Sequence, residues 1–95
     1  MQPSHLMFLG DTLRVKLGPE RASRQYALKT MLDHDVNVAF STDYPVAPFD
    51  PRLNIYFAVT RCDPEGNPVD RGSGQEITLA QAIRAYTCGS AYCLG

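Results

Sequence analysis

Val36-Asn37-Val38-Ala39-Phe40-Ser41-Thr42-Asp43-Tyr44-Pro45-Val46-Ala47-Pro48 decides how this chain is read. It opens as an uncharged, apolar, β-branched run, the pattern of a strand buried on both faces. The run stops at a carboxylate, Asp43, and Pro45 and Pro48 follow closely. Proline lacks the ladder N–H and biases the residue before it, so the strand is expected to end near Asp43. In parallel α/β proteins, the place where a buried strand meets a loop is where chemistry is put. Asp43 is therefore either a loop cap accepting backbone N–H groups or a catalytic carboxylate.

Working outward, 36–42 needs partners, because buried backbone groups cannot stay unpaired. Upstream, residues 1–7 read as the last residues of a second strand followed by a loop, with Gly10-Asp11 marking a turn. Gly18-Pro19-Glu20 reads as a helix start running to about His34 with a possible offset near Ser23; Tyr26, Leu28, Met31 and Leu32 recur at helical spacing. His34 falls in its last turn as a surface histidine, and Asp35 is its stop. Downstream, Asp50 is a fitting N-cap and Pro51 a fitting first helical residue. Leu53, Ile55, Tyr56, Phe57 and Val59 make that helix apolar around most of its circumference. Residues 63–68 and 71–74 are turn-rich loop. Thr78-Leu79-Ala80-Gln81 fits a capping box, after which Leu79, Ala82, Ile83, Tyr86 and Ser90 define one face. Gly89 weakens or ends this helix.

The tally is one strand, part of another and three helices, which is too little sheet to pair with itself. The chain is expected to be part of a larger α/β fold, or else to find its strand partners by self-association as a homo-oligomer. Bulk composition narrows the class further. Ninety-five residues form at most one domain, and such a chain buries only about two thirds of its unfolded surface. A formal net charge of −1 provides no basic field for nucleic acid or for an anionic membrane. No apolar run reaches the roughly 18 residues of a spanning helix, and no charged-then-apolar leader opens the chain. Cys62, Cys88 and Cys93 are odd in number, and the spacing of the last two suits neither a metal knuckle nor one helical face. They are expected to be reduced thiols in a cytoplasmic protein. His5 is open between a ligand or acid–base role and an ordinary solvated side chain.

Phe40-Ser41-Thr42-Asp43-Tyr44-Pro45-Val46-Ala47-Pro48 resembles the Phe-Gly-Ser-Asp-Trp-Pro-Val-Ala-Pro signature of the YtcJ-like metal-dependent amidohydrolases, the amidohydrolase family 3 group. Gln2-Pro3-Ser4-His5 resembles that family's Gln-Pro-x-His, and Leu17-Gly18-Pro19-Glu20-Arg21-Ala22 its Leu-Gly-x-Glu-Arg-Ala. Ala58-Val59-Thr60-Arg61, Leu79-Ala80-Gln81-Ala82-Ile83-Arg84-Ala85-Tyr86-Thr87 and Ala91-Tyr92 are similar to later stretches, in the family's order. The resemblance implies an α/β fold, a helix-rich partial (β/α)8 TIM-barrel segment comprising strands seven and eight with their following helices. Residues 1–95 would be a single fragment of that barrel domain, from the C-terminal part of the enzyme.

The resemblance also implies a reaction, the hydrolysis of a non-peptide C–N bond in a small amide-type substrate. Asp43 would close strand eight beside a divalent metal, zinc, and is the one residue here assigned to the metal centre. It would take a proton from the metal-bound water as general base and return it to the leaving nitrogen. His5 would face the same pocket and bind substrate. Two departures stand out: Ser41-Thr42 replaces Gly-Ser, and Tyr44 replaces Trp. The His-x-His of strand one, the bridging residue of strand four and two later histidines are absent from this chain, and a zinc site normally takes three or four ligands. The chain alone is expected to be catalytically silent and to bind no metal. The competing reading is a small non-catalytic α/β module acting through self-association. A hydrolase working alone through His5 and Asp43 lacks a third group to complete its site.

Overall fold

A computed structural model describes residues 1–70 and 72–95. The expected loop around Arg71 therefore lies partly outside the described residues. The chain folds as α1 (Ser4–Leu17), α2 (Pro19–Ala22), α3 (Leu28–Asp33), α4 (Pro51–Thr60), α5 (Leu79–Arg84), a π-helical turn (Ala85–Gly89) and α6 (Ser90–Leu94).

The N-terminal expectation is corrected. Residues 4–17 form one helix in place of a strand end, a loop and a turn at Gly10. Gly10 is a spacer inside that helix: a Cβ there would fall 2.6 Å from Val69 Cγ1. The helix ends at Gly18 (φ 77°), whose N–H donates to the Arg14 carbonyl at 3.1 Å. Glycine adopts that backbone conformation without the penalty of a Cβ. Pro19 does start a helix, yet the segment expected to run on to His34 is broken across residues 23–27, where Tyr26 takes φ 47°. Asp35 (φ 56°) stops α3, as its position suggested.

The stretch 36–42 forms no β-ladder, and no strand is found among the described residues apart from an isolated antiparallel bridge between Cys62 and Pro68. One strand-like exchange survives at Phe40. The Met1 backbone nitrogen donates to Ala39 O at 2.6 Å, and Ser41 N–H donates to Met1 O at 3.0 Å. That is the hydrogen-bond pattern of a parallel pair. On the opposite edge, Phe40 N–H donates to Ala85 O (3.2 Å), and Ser90 Oγ donates to Phe40 O (3.0 Å). The π-helical turn thus sits where a neighbouring strand would pair. Gly89 permits this approach, since a Cβ there would lie 2.1 Å from Val38 O. The backbone of Phe40 is satisfied within one chain, so open edges at this residue give no reason for self-association.

The helix caps follow sequence closely. The Asp50 carboxylate accepts from Arg52 N–H at 2.9 Å, with Pro51 as first helical residue. Thr78 and Gln81 form the reciprocal capping box. The face of the last helix is rotated from the expected one: Ala82 and Ala85 are buried, whereas Leu79 and Ile83 are exposed. In α4 the buried positions are Asn54, Phe57 and Ala58. Leu28, Val38, Phe40, Ala58, Ile77, Ala82 and Ala85 form the core. Phe40 packs edge-on against Tyr86, with ring centroids 5.7 Å apart. All three cysteines are free thiols, Cys62 buried and Cys88 and Cys93 exposed. No helix among the described residues is long and apolar enough to cross a membrane.

Candidate active site

Asp43 follows directly on the paired segment. Its backbone is left-handed (φ 56°), a conformation that Asp and Asn tolerate better than most residues. Its carbonyl accepts from Val46 N–H at 2.8 Å, closing a turn. Its side chain is exposed, and among the described residues no hydrogen bond reaches the carboxylate. The loop-capping reading of Asp43 is therefore not what the geometry displays, because both carboxylate oxygens are free to serve something outside the segment. The charge is felt by Tyr26: burial first, and then the Asp43 carboxylate, push that phenol above its ordinary range. Beyond Asp43, Tyr44 and Phe49 meet edge to face at 5.9 Å, and both are well exposed.

His5 lies in the first turn of α1, not at a strand end. It is half-buried, and its Nε2 is enclosed without a hydrogen-bond partner. The neighbouring Ser4 is 1% exposed, with Oγ likewise unpartnered. Among the described residues no hydrogen bond joins His5 to Asp43. Besides the Met1 exchange, their two segments are tied by Asn54, from the middle of α4. Its Oδ1 accepts Ser4 N–H at 2.7 Å, and its Nδ2 donates to Ser41 O at 3.2 Å and to Tyr86 Oη at 2.9 Å. A second tie runs from Gln2 Nε2 to Ser41 Oγ at 3.0 Å. The roomier cavities lie elsewhere. One of about 460 Å³ is lined by Leu32, Val36, Val38, Arg84, Cys88 and Tyr92 among others, and includes neither Asp43 nor His5.

Sequence reasoning passed over Asn54 and also Arg61. The Arg61 side chain is wholly buried, donates from Nη2 to Tyr26 O at 2.7 Å and faces Asp70 Oδ2 at 3.7 Å. Burial pushes the Asp70 carboxyl up and the Arg61 guanidinium down, each opposed by the attraction of the other. The available signal for Asn54 was a single carboxamide inside an otherwise apolar run, and for Arg61 a charge at the end of that run.

Among the described residues no group of three or more His, Cys, Asp and Glu side chains is placed to hold an ion. Asp43 and His5 supply one carboxylate and one imidazole, short of the usual three or four ligands. The described residues do not by themselves fit a metal centre.

The stretch that ends in the unengaged Asp43 carboxylate is paired in parallel with Met1 and flanked by helices. The model of the amidohydrolase family matches residues 1–95, and the chain belongs to that family. It is 34% identical over 90 residues to Protein LONG AFTER FAR-RED 3 of Arabidopsis thaliana, covering 90% of this chain and 15% of that protein. It is 34% identical over 77 residues to Putative amidohydrolase YtcJ of Bacillus subtilis (strain 168), covering 80% of this chain and 15% of that protein. The chain thus spans about 15% of the length of these curated relatives. No solved structure matches it.

Proposed function

We propose that residues 1–95 are one segment of an amidohydrolase barrel domain, carrying strands seven and eight with their following helices. In the complete enzyme Asp43 is the general base that takes a proton from the attacking water and returns it to the leaving nitrogen of a non-peptide C–N bond. His5 contacts the small-molecule substrate. The observation that carries this reading is the Asp43 carboxylate itself, exposed and free of hydrogen bonds at the end of a segment with parallel-strand pairing. Cap hydrogen bonds would occupy lone pairs and lower the basicity of the carboxylate, and this one receives none among the described residues.

The family is generally metal-dependent, and the ion assigned here to the complete centre is zinc, beside Asp43. Its remaining ligands would come from outside these residues. The parallel exchange between Met1 and the residues flanking Phe40 supports the seven–eight strand assignment, although it is one residue long. Exposed Val46, Phe49 and Leu94 give the segment apolar surface to bury against the rest of a barrel or against a second copy. The working compartment in this reading is the cytoplasm.

The test is Asp43→Asn in the full-length enzyme that carries this segment. Asparagine keeps the shape and removes the proton acceptor. Turnover is expected to fall at least a thousandfold, on the order of a lost general base with its positioning, while bound metal stays at the wild-type level. An Asn variant that hydrolyses at a comparable rate would end the general-base assignment.

A further inference from the structure

We infer that Asn54 is the positioning residue of this site: its one carboxamide fixes the turn bearing His5 against the segment that delivers Asp43. The inference rests on the amidohydrolase reading for the role of Asp43, and adds a residue that neither the family motifs quoted above nor the metal chemistry assigns.

Three observations carry it. Asn54 is 1% exposed within an apolar helix, where an unpaired amide would cost about 1–3 kcal/mol and an aliphatic side chain would fit the pattern of its neighbours. Its polar atoms are nevertheless engaged on both sides, Oδ1 by Ser4 N–H and Nδ2 by Ser41 O and Tyr86 Oη. Ser4 directly precedes His5, and Ser41 stands two residues before Asp43. The second observation is redundancy in pairing: Met1 and Gln2 already hold the two segments side by side. Asn54 is not needed to bring them together, so what it adds is their relative placement. The third is the lack of a side-chain hydrogen bond made by the His5 turn itself. Ser4 Oγ and His5 Nε2 are enclosed but unpartnered, so no side-chain hydrogen bond of either residue resists a shift of that turn.

Positional errors of about 1 Å can cost on the order of a hundredfold in rate without loss of binding. In the full-length enzyme, Asn54→Leu is expected to lower kcat about a hundredfold with KM within about threefold of wild type. Asn54→Asp keeps an oxygen for Ser4 N–H and removes the donation to Ser41, and is expected to lose kcat similarly. Tyr86→Phe keeps the ring against Phe40 and removes only the outer acceptor; its kcat is expected to stay within about twofold. The readout that a merely structural role would not produce is non-additivity. On an Asp43→Asn background, Asn54→Leu should reduce the residual rate no further, because both act through one group.

A kcat within threefold of wild type in Asn54→Leu would overturn the inference. So would an independent hundredfold loss added to that of Asp43→Asn. Should Asp43→Asn itself retain turnover, the base assignment fails, and the clamp is judged by amide hydrogen exchange in the 95-residue chain. There, Ser4 N–H should exchange at least tenfold faster in Asn54→Leu and unchanged in Asn54→Asp and Tyr86→Phe. Unaltered Ser4 protection in Asn54→Leu would refute the clamp.

Discussion

Arg61 is the residue on which the loops of this small chain converge. It ends α4 in a left-handed conformation (φ 55°), with its own N–H returned to Phe57 O at 2.8 Å. Its carbonyl accepts Val69 N–H at 3.0 Å and Asp70 N–H at 3.2 Å, while the guanidinium holds Tyr26 O and lies 5.4 Å from the Phe57 ring centre. Nε and Nη1 have no hydrogen-bond partner, and the burial of this group is offset by the charge of Asp70 first and of Glu76 after it. Breaking a buried pair by removing one member leaves the other uncompensated. Arg61→Ala is expected to lower unfolding free energy by about 3 kcal/mol, read from urea denaturation; a loss below about 1 kcal/mol would show that Asp70 is adequately hydrated without it. At this scale the sequence was partly legible. Asp43 stood out as a carboxylate ending an uncharged run; its position left it between a loop cap and a catalytic group, and the motif around it tipped the reading. Asn54 and Arg61 did not, because a polar residue in or after an apolar helical stretch reads as surface until the packing around it is known.

Local signals worked for the elements that carry their own caps. Asp50-Pro51 and Thr78 with Gln81 start helices where the sequence placed them, since cap hydrogen bonds depend on residues within one turn. They failed where a glycine or a charge served tertiary packing. Gly10 read as a turn and is a helix spacer under Val69; Gly89 read as a helix weakness and is the contact that lets the π-helical turn reach Val38. The expected strand kept its buried side chains, Val38 and Phe40, and not its ladder, because ladder partners must come from elsewhere in the chain. Gly89→Ala tests this arrangement. Its Cβ would meet backbone, Val38 O, which cannot swing aside as a flexible side chain would. Stability should fall by about 1–3 kcal/mol, and the Phe40 amide, bonded to Ala85 O, should exchange at least tenfold faster. An unchanged Phe40 exchange rate would mean that the turn does not hold this edge.

At the scale of the molecule, the chain is compact, with a radius of gyration of 12.7 Å, close to what a domain of this length takes. Compactness here does not imply a complete site. Among the described residues the chain shows one unengaged carboxylate at Asp43, an enclosed His5 Nε2 without a hydrogen-bond partner, and the Asn54 amide that ties their segments together. The family was legible through the motif order along the chain, whereas composition and periodicity gave too few strands to name an architecture and the described residues form helices without the expected strands. The substrate was not legible at all: specificity in barrels is built by loops after several strands.

The central claim is that these 95 residues carry one member of a hydrolytic centre and not the centre itself. The most direct measurement is the zinc content of the purified chain by elemental analysis after equilibration with the metal and removal of excess. The account predicts well under one zinc per ten chains, on the order of non-specific carryover. One tightly held zinc per chain would contradict it and restore a self-sufficient site built on Asp43 and His5.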